Sequence, residues 1–346
     1  IVADSDSYWT RDYGPWWITN EDGDFEIVDF PYNRNRPNDD AVPGEVASYL
    51  GVTTDYMNVE HTGGNYMTDG LGISISTDLV VEENGYDEAF VRQMHKDYLN
   101  IDTYHIVPDA LGEYIKHIDC WAKYLDVDKI MISRDSSNPD LNDAAHYFEN
   151  QTSAYGTPYQ VYRVDTPNGE PYTNCLILND KVLLPQTGSS WDDDAIATYQ
   201  AAMPGYEIIG IADYISGNWY YSTHWWQSTD ALHCRTRGIP DLGMLYIQHY
   251  PVIQTEANEP IDVIAKIKAY SGSDLTGYNV HWKLSTDGTY NTASMSLISG
   301  SHYRAEIPGQ ASGVTIEYYI EAADASGRME TSPFIGPADP HRISVI

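Results

Sequence analysis

Basic residues are scarce in this chain of 346 residues. Only 19 Lys and Arg stand against 51 Asp and Glu, which gives a formal charge of −32. Nucleic-acid binding needs clustered Lys and Arg, so no nucleic-acid partner is expected, and anionic membrane surfaces are disfavoured for the same reason. A field of this sign attracts cations instead. A guanidinium, an amine or a basic peptide is therefore the first class of ligand to consider.

Cysteines and long apolar runs are also few. The three cysteines are an odd number and too few for a disulfide framework, so at least one thiol is free. The longest apolar runs, such as residues 175–178 and 182–184, have only the length of a strand, so no membrane insertion is expected. The 29 Tyr and 26 Gly beside few lysines are more typical of an extracellular surface, and we expect a secreted protein.

A polar cluster recurs at a near-constant interval along residues 1–245. Strand-like segments at residues 55–59, 103–107, 160–164 and 206–210 each precede such a cluster. One residue can represent each cluster: Asp12, Asn65, Asp119, Asn174 and Cys234. The intervals between successive representatives are 53, 54, 55 and 60 residues. A period of this size indicates repeated supersecondary units. If each unit is one blade of a closed ring, the five side chains point into one cavity, although recurring turns alone also place Asn and Asp at intervals.

The segments between the clusters indicate the fold class. Residues 87–99 and 142–150 have apolar side chains at helical spacing, and strands that alternate with helices predict an α/β architecture for residues 1–245. Residues 246–346 have no helical period. They contain short alternating strands separated by glycine turns, which predicts a second, all-β domain of immunoglobulin-like sandwich type.

The predicted cavity would collect a set of groups suited to guanidine chemistry: Asp12, Asp119, His117, Asn174 and Cys234. Two carboxylates can accept paired N–H bonds from a planar guanidinium. A thiolate can attack its central carbon, and an imidazole can move protons. Arg235 and Arg237 flank the thiol of Cys234 in sequence, and neighbouring cations favour a thiolate.

Other uses of these residues remain open on sequence grounds. A lone histidine is more often structural than catalytic, and Cys120 and Cys175 are expected to be buried small hydrophobes. Zinc is the rival use of Cys, His and Asp, but no two cysteines stand at short ligand spacing, so no metal site is predicted. A Cys-His protease is a second rival, and it leaves the recurring carboxylates and Asn unexplained.

Five motifs, taken in their order along the chain, are specific where any one alone is not: Trp9-Thr10-Arg11-Asp12-Tyr13-Gly14-Pro15-Trp16-Trp17, His61-Thr62-Gly63-Gly64-Asn65, His117-Ile118-Asp119, Tyr172-Thr173-Asn174 and His233-Cys234-Arg235-Thr236. They resemble the guanidine-modifying deiminases, and more narrowly the bacterial peptidylarginine deiminases of Porphyromonas type, with agmatine deiminases as near cousins. The resemblance runs over essentially the whole chain. It implies a five-bladed pseudo-symmetric α/β propeller followed by an immunoglobulin-like domain.

The resemblance also implies roles for individual residues. Cys234 would be the nucleophile and His117 the general acid/base. Asp12 and Asp119 would hold the guanidinium and stay ionised throughout, and Asn174 would position the thiol and the substrate.

Further residues would bind the rest of the substrate. Arg34 and Arg36, with Tyr114, would meet the carboxylate of a C-terminal arginine, Trp9 would pack against the aliphatic stem, and Asn65 would join the substrate-binding group. The alternative for the two arginines is a surface loop in which they pair with the acidic residues 39–40.

The implied reaction is hydrolysis of peptidyl-arginine, preferably at a C-terminus, to citrulline and ammonia through a covalent thiouronium. The alternatives are an agmatine deiminase, or a non-catalytic binding protein on the same scaffold. Expected partners are arginine-containing peptides and proteins. The protein itself is expected to be a monomer that is secreted or lies at the cell surface of a bacterium. No cofactor is expected to be required. Acidic stretches such as residues 192–194 could bind a structural calcium or sodium ion, although solvated acidic loops are commoner. A segment upstream of residue 1 is expected to complete the first blade.

Overall fold

The computed structural model describes residues 3–20, 23–212 and 226–346. Contacts divide the chain into one unit of residues 1–202 and 207–238 and a second of residues 203–206 and 239–346. The domain boundary predicted between residues 245 and 246 lies inside the second unit, because residues 245–249 pair as a strand with residues 265–269 there.

The described part of the first unit contains four three-stranded sheets of one pattern. In each sheet the first two strands are antiparallel, and the third strand runs parallel to the second after a helical connection. The strands are β1 (Trp16–Thr19), β2 (Phe25–Asp29) and β3 (Thr53–Tyr56); β4 (Met67–Thr68), β5 (Ile73–Thr77) and β6 (Thr103–Val107); β7 (Ala122–Asp126), β8 (Lys129–Arg134) and β9 (Gln160–Asp165); β10 (Leu176–Leu178), β11 (Lys181–Gln186) and β12 (Glu207–Ala212).

Helices precede the first sheet and connect the second strand to the third in every sheet. They are α1 (Thr10–Tyr13), α2 (Pro37–Asp40), α3 (Val42–Leu50), α4 (Leu79–Glu83), α5 (Glu88–Leu99), α6 (Asp140–Glu149) and α7 (Asp192–Ala202). Helix α5 shows how the sequence sets their limits. The carboxylate of Asp87 accepts a hydrogen bond from the backbone N–H of Phe90 at 2.9 Å and so caps the first turn. Asn100, in the left-handed conformation with φ 53°, ends the helix.

Apolar side chains from neighbouring sheets share a core. Ile75 of the second sheet packs in one buried cluster with Trp121, Ile130 and Phe148 of the next repeat, and all four are fully buried. At about 25 cal/mol per Å² of apolar surface removed from water, such shared burial is the main force that holds successive repeats together.

The start of each sheet is where the predicted polar positions lie. Asp12 is on α1, just before β1. Asn65 and Asp119 lie in the short 3₁₀ turns Gly63–Asn65 and Ile118–Cys120, before β4 and β7. Asn174 lies two residues before β10. The repeated connectivity therefore gives each of these side chains the same place in its sheet.

The described part of the second unit is built of strands that form two sheets around one apolar core. Alternating burial along the strand Thr315–Asp324 shows that one face of its sheet meets this core. One sheet contains β13 (Leu245–His249), β15 (Ile261–Ala269), β18 (Ser296–Ser299) and β19 (His302–Ile307); the other contains β14 (Gln254–Thr255), β16 (Leu275–Leu284), β17 (Asn291–Ser294), β20 (Thr315–Asp324), β21 (Met329–Ser332) and β22 (His341–Val345).

Within the described ranges, none of the helices has both the length and the apolar character needed to cross a bilayer.

Candidate active site

The thiol of Cys234 lies in a buried network with an amide and a carboxylate. Its Sγ is 3.2 Å from Nδ2 of Asn174 and 3.9 Å from Oδ2 of Asp119. The backbone N–H of Cys234 donates to Oδ1 of Asn174 at 3.2 Å. All three side chains are 2% exposed or less. Asn174 thus contacts both the main chain and the sulfur of Cys234.

His233 fixes the carboxylate of Asp119. Its Nδ1 donates to Oδ2 of Asp119 at 2.7 Å, and the Nε–H of Arg11 in turn donates to the carbonyl oxygen of His233 at 3.3 Å. Burial holds the pKa of His233 well below its usual value, so the ring is neutral. The hydrogen bond therefore fixes one tautomer and one orientation of Asp119.

Asp12 and His117 form a second pair in the site, and Asp12 is near enough to Asp119 and Cys234 to interact with both electrostatically. Oδ1 of Asp12 lies 3.7 Å from Nδ1 of His117. The backbone at Gly64 passes so close to this pair that an added Cβ would lie 2.5 Å from Nδ1 of His117 and 2.7 Å from Oδ1 of Asp12. Only glycine leaves room for both groups at this position.

Several buried polar atoms of the site have no hydrogen-bond partner among the described residues. They are Oδ1 of Asp12 and both ring nitrogens of His117. A buried polar group without a partner costs roughly 1–3 kcal/mol, so native structures satisfy nearly all of them. A ligand with N–H donors for the carboxylate would satisfy the Asp12 oxygen.

The two acidic side chains ionise less readily in the empty site than in water. Burial, and then the neighbouring Asp119, raise the pKa of Asp12 from 3.8 to about 7. Burial also raises the pKa of Asp119 to about 7, against the opposing effects of Lys123 and Arg11. The mechanism predicted from the sequence has both groups ionised while they hold a guanidinium, and that stays a prediction. Two carboxyl groups buried side by side resist ionisation until a cation lies between them.

The resting thiol is neutral, contrary to the sequence-based prediction. Burial, and then Asp119 and Asp12, raise the pKa of Cys234 well above its usual value. The flanking arginines do not contact the sulfur. Arg235 pairs with Asp230 at 2.7 Å, and Arg237 donates to the carbonyl oxygen of Pro15. Burial lowers the pKa of His117 to about 3, so the imidazole is neutral in the empty site.

Arg34 lies close enough to the site to influence its charges, because it lowers the pKa of both His117 and Asp12. Its guanidinium is 3.9 Å from Glu83. Arg36 instead lies over the ring of Trp9, 4.7 Å from its centroid, and donates to the hydroxyl of Tyr32.

The alternative pairing of these arginines with residues 39–40 is wrong. Asp39 accepts hydrogen bonds from Asp6 and Ser7. Asp40 accepts from the backbone N–H of Tyr32.

Two other predicted binding residues occupy different surroundings. The Oδ1 of Asn65 accepts from the backbone N–H groups of Thr77 and Ile118 at 2.9 and 3.1 Å, so Asn65 supports the loop that carries His117 and Asp119. Tyr114 is 86% exposed and has no hydrogen bond to another described residue, so the structure does not bring it to the cluster.

Sequence reasoning gave no role to three residues that the structure places here: Arg11, Gly64 and His233. Each stands directly beside a predicted residue in a motif, and the glycine doublet at residues 63–64 was a usable signal of close approach. Cys120 and Cys175 are buried free thiols. In the described ranges no three His, Cys, Asp or Glu side chains are grouped as metal ligands.

The chain is similar in sequence to a protein family and to several named relatives. Residues 1–240 match the model of the Porphyromonas-type peptidyl-arginine deiminase family. A Vibrio parahaemolyticus protein named agmatine deiminase is 27% identical over 252 residues, which cover 59% of this chain and 69% of the relative. A Streptococcus mutans protein of the same name is 24% identical over 262 residues, covering 61% and 70%.

Solved structures share the fold. An arginine deiminase structure from Porphyromonas gingivalis matches with a TM-score of 0.59 and 23% identity over 68% of this chain and 76% of that one. An agmatine deiminase from Enterococcus faecalis matches with a TM-score of 0.55 and 22% identity over 59% and 69%. Fold and sequence together define a guanidine-modifying enzyme of mixed α/β fold, a hydrolase of amidine C–N bonds. Because the family match covers well over half of it, the chain belongs to the Porphyromonas-type peptidyl-arginine deiminase family.

Proposed function

We propose that this protein hydrolyses the guanidine group of peptidyl-arginine, preferably at a C-terminus, to citrulline and ammonia. The observation that carries the proposal is that the buried Oδ1 of Asp12 and the ring nitrogens of His117 have no hydrogen-bond partner in the described part of the chain, and that Asp12 lies near the Asp119–Cys234 pair. A guanidinium supplies the N–H donors and the positive charge that these groups lack.

Binding comes first in the proposed mechanism. The guanidinium lies between Asp12 and Asp119, which lose their protons as the cation enters and then accept its N–H groups. The added positive charge also stabilises a thiolate at Cys234. The substrate thus ionises the groups that act on it.

The chemical steps then follow. The thiol proton passes to His117, and the sulfur forms a bond to the central guanidinium carbon. The imidazolium returns that proton to the leaving nitrogen, the C–N bond breaks and ammonia departs, which leaves a thiouronium on Cys234. Water attacks the same carbon while His117 takes its proton, the C–S bond breaks, and citrulline and the free thiol result.

We further propose the architecture and setting that fit this role. The four described sheets would be blades of a five-bladed propeller, and the second unit an immunoglobulin-like sandwich. The protein would be a secreted or cell-surface bacterial monomer that needs no cofactor, with arginine-containing peptides and proteins as partners. A structural calcium or sodium ion stays a hypothesis for its acidic loops.

The direct test is citrulline formation on four substrates in parallel: a peptide ending in arginine, the same peptide with arginine internal, free arginine, and agmatine. Fast turnover of the arginine-ended peptide supports the proposal. Preference for agmatine would contradict the substrate, and silence on all four would favour the non-catalytic alternative.

Replacing Arg34 by alanine is expected to lower kcat/KM for the arginine-ended peptide by roughly 10- to 100-fold, because a charge-assisted hydrogen bond contributes about 1.5–3 kcal/mol. The same peptide with an amidated C-terminus should lose little. Arg134→Ala is the matched control, since Arg134 pairs with Asp165 at the surface. An equal loss on the free and the amidated peptide would contradict carboxylate recognition.

Activity should fall in acid with a midpoint near pH 7. Asp12 and Asp119, both with a pKa of about 7 in the empty site, must lose protons before they hold a cation. Since kcat/KM reports the free enzyme, it should drop about tenfold per pH unit or more steeply below that midpoint. The measurement is kcat/KM from pH 5 to 9, and a profile flat down to pH 5 would refute the assignment.

A second candidate, agmatine, is favoured by one observation besides the names of the relatives. Glu83 faces Arg34 at 3.9 Å, its Oε2 is buried without a partner among the described residues, and burial raises its pKa to about 7. Such a carboxylate could accept the distal ammonium of agmatine. Glu83→Gln should then reduce agmatine turnover selectively, whereas for an arginine-ended peptide it should have little effect.

A further inference from the structure

One cavity in the first unit has basic side chains in its wall, although the chain as a whole is strongly acidic. It has a volume of about 230 Å³, and its wall includes Arg11, Lys123, His233, Thr68 and Leu176. Thr68, Lys123 and Leu176 come from β4, β7 and β10, the first strands of three successive sheets. The predicted site residues Asn65, Asp119 and Asn174 lie just before these strands. The cavity wall therefore uses residues that follow them along the chain.

Lys123 and Arg11, the two cations in the wall, have N–H donors without a hydrogen-bond partner among the described residues. Lys123 is only 6% exposed, and its ammonium has no hydrogen-bond or ion-pair partner among the described residues. Arg11 uses its Nε–H on the carbonyl oxygen of His233, and its terminal nitrogens have no described partner. Asp119 interacts electrostatically with both cations and already accepts a hydrogen bond from His233.

Burying an unpaired ammonium is costly. Burial lowers the pKa of Lys123 to about 8 and that of Arg11 to about 10. An anion in the cavity would offset the free-energy cost of burying the two positive charges.

We propose that this cavity binds a small oxyanion of the phosphate or sulfate type between Lys123 and Arg11. Ammonium and guanidinium donors that converge on one space are the usual ligands of such ions. The volume is below that of most pockets for drug-sized ligands, which favours an inorganic ion or a single phosphate group. The inference is independent of the deimination proposal, since it concerns binding alone.

The test is calorimetric titration of the full chain with inorganic phosphate at pH 7 and constant ionic strength. We expect saturable binding of one equivalent, weakened at least about tenfold in Lys123→Met. Lys129→Met is the matched control: Lys129 is equally buried on the adjacent strand β8, outside the cavity wall, and should leave the affinity within about twofold of the wild type.

Two more variants keep the test decisive. Leu176→Trp fills the cavity without removing a charge and should also weaken binding, which decides the matter if Lys123→Met fails to fold. Arg34→Ala should leave the affinity unchanged. No saturable binding, equal affinity in Lys123→Met and the wild type, or loss confined to Arg34→Ala would each overturn the site. Sulfate and glycerol phosphate then distinguish a free ion from a phosphate ester, and binding of malonate alone would overturn the choice of a tetrahedral oxyanion.

Discussion

Replacing Cys234 by alanine should reduce citrulline formation by roughly 10⁴- to 10⁶-fold, the range expected when a nucleophile is removed from a group that acts as a unit. The side chain is neutral at rest and buried beside Asn174, so its removal leaves the carboxylates and the fold in place. The measurement is turnover under saturating substrate, with mass spectrometry for the covalent adduct. The wild type should show the thiouronium after an acid quench, and the variant should not.

Cys175→Ala is the control for this experiment. That thiol is also fully buried, but its Sγ contacts the hydroxyl of Tyr199 at 3.4 Å and lies outside the site. Activity should stay within a few-fold of the wild type. Citrulline release that persists in Cys234→Ala, or an adduct that survives there, would remove the assignment of the nucleophile.

Much of the site could be predicted because the fold is repetitive. Intervals of 53 to 55 residues place Asp12, Asn65, Asp119 and Asn174 just before the first strand of successive sheets, where repeated connectivity gives each the same place in its own sheet. The same regularity explains why a strand and helix pattern was enough to predict an α/β fold. A period in the sequence becomes a repeated connectivity in the fold, and residues in phase with it take equivalent places in successive sheets.

Charge states could not be predicted in this way, because they depend on burial and on which way a side chain turns. Arg235 and Arg237 are neighbours of Cys234 along the chain, yet their guanidinium groups turn to Asp230 and to a backbone carbonyl. The thiol is left facing Asp119, which opposes its ionisation. Sequence adjacency fixes the position of a Cα and leaves the direction of a long side chain open.

Asp12→Asn should lower kcat/KM by roughly two to four powers of ten, because an uncompensated loss from a buried ion pair costs about 3–5 kcal/mol. The substitution keeps the size of the side chain and removes the charge that would face the guanidinium. Asp69→Asn is the matched control, since that carboxylate accepts hydrogen bonds from Leu71 and Ile73 in a loop outside the site. Its activity should stay within a few-fold of the wild type.

The stability of Asp12→Asn should move in the opposite direction to its activity. The pKa of Asp12 is about 7 in the folded protein against a usual 3.8, so its contribution to stability is complete below pH 4 and is lost as the pH rises through 7. Asn cannot ionise, so the variant should melt above the wild type at pH 8, by about 2–4 °C for each kcal/mol regained, and should lose this advantage near pH 4. Thermal unfolding at the two pH values measures both. A variant that is inactive and also less stable at pH 8 would mean that Asp12 supports the fold. A variant that is inactive but more stable means that the protein keeps a destabilising buried carboxylate there in order to bind a cation.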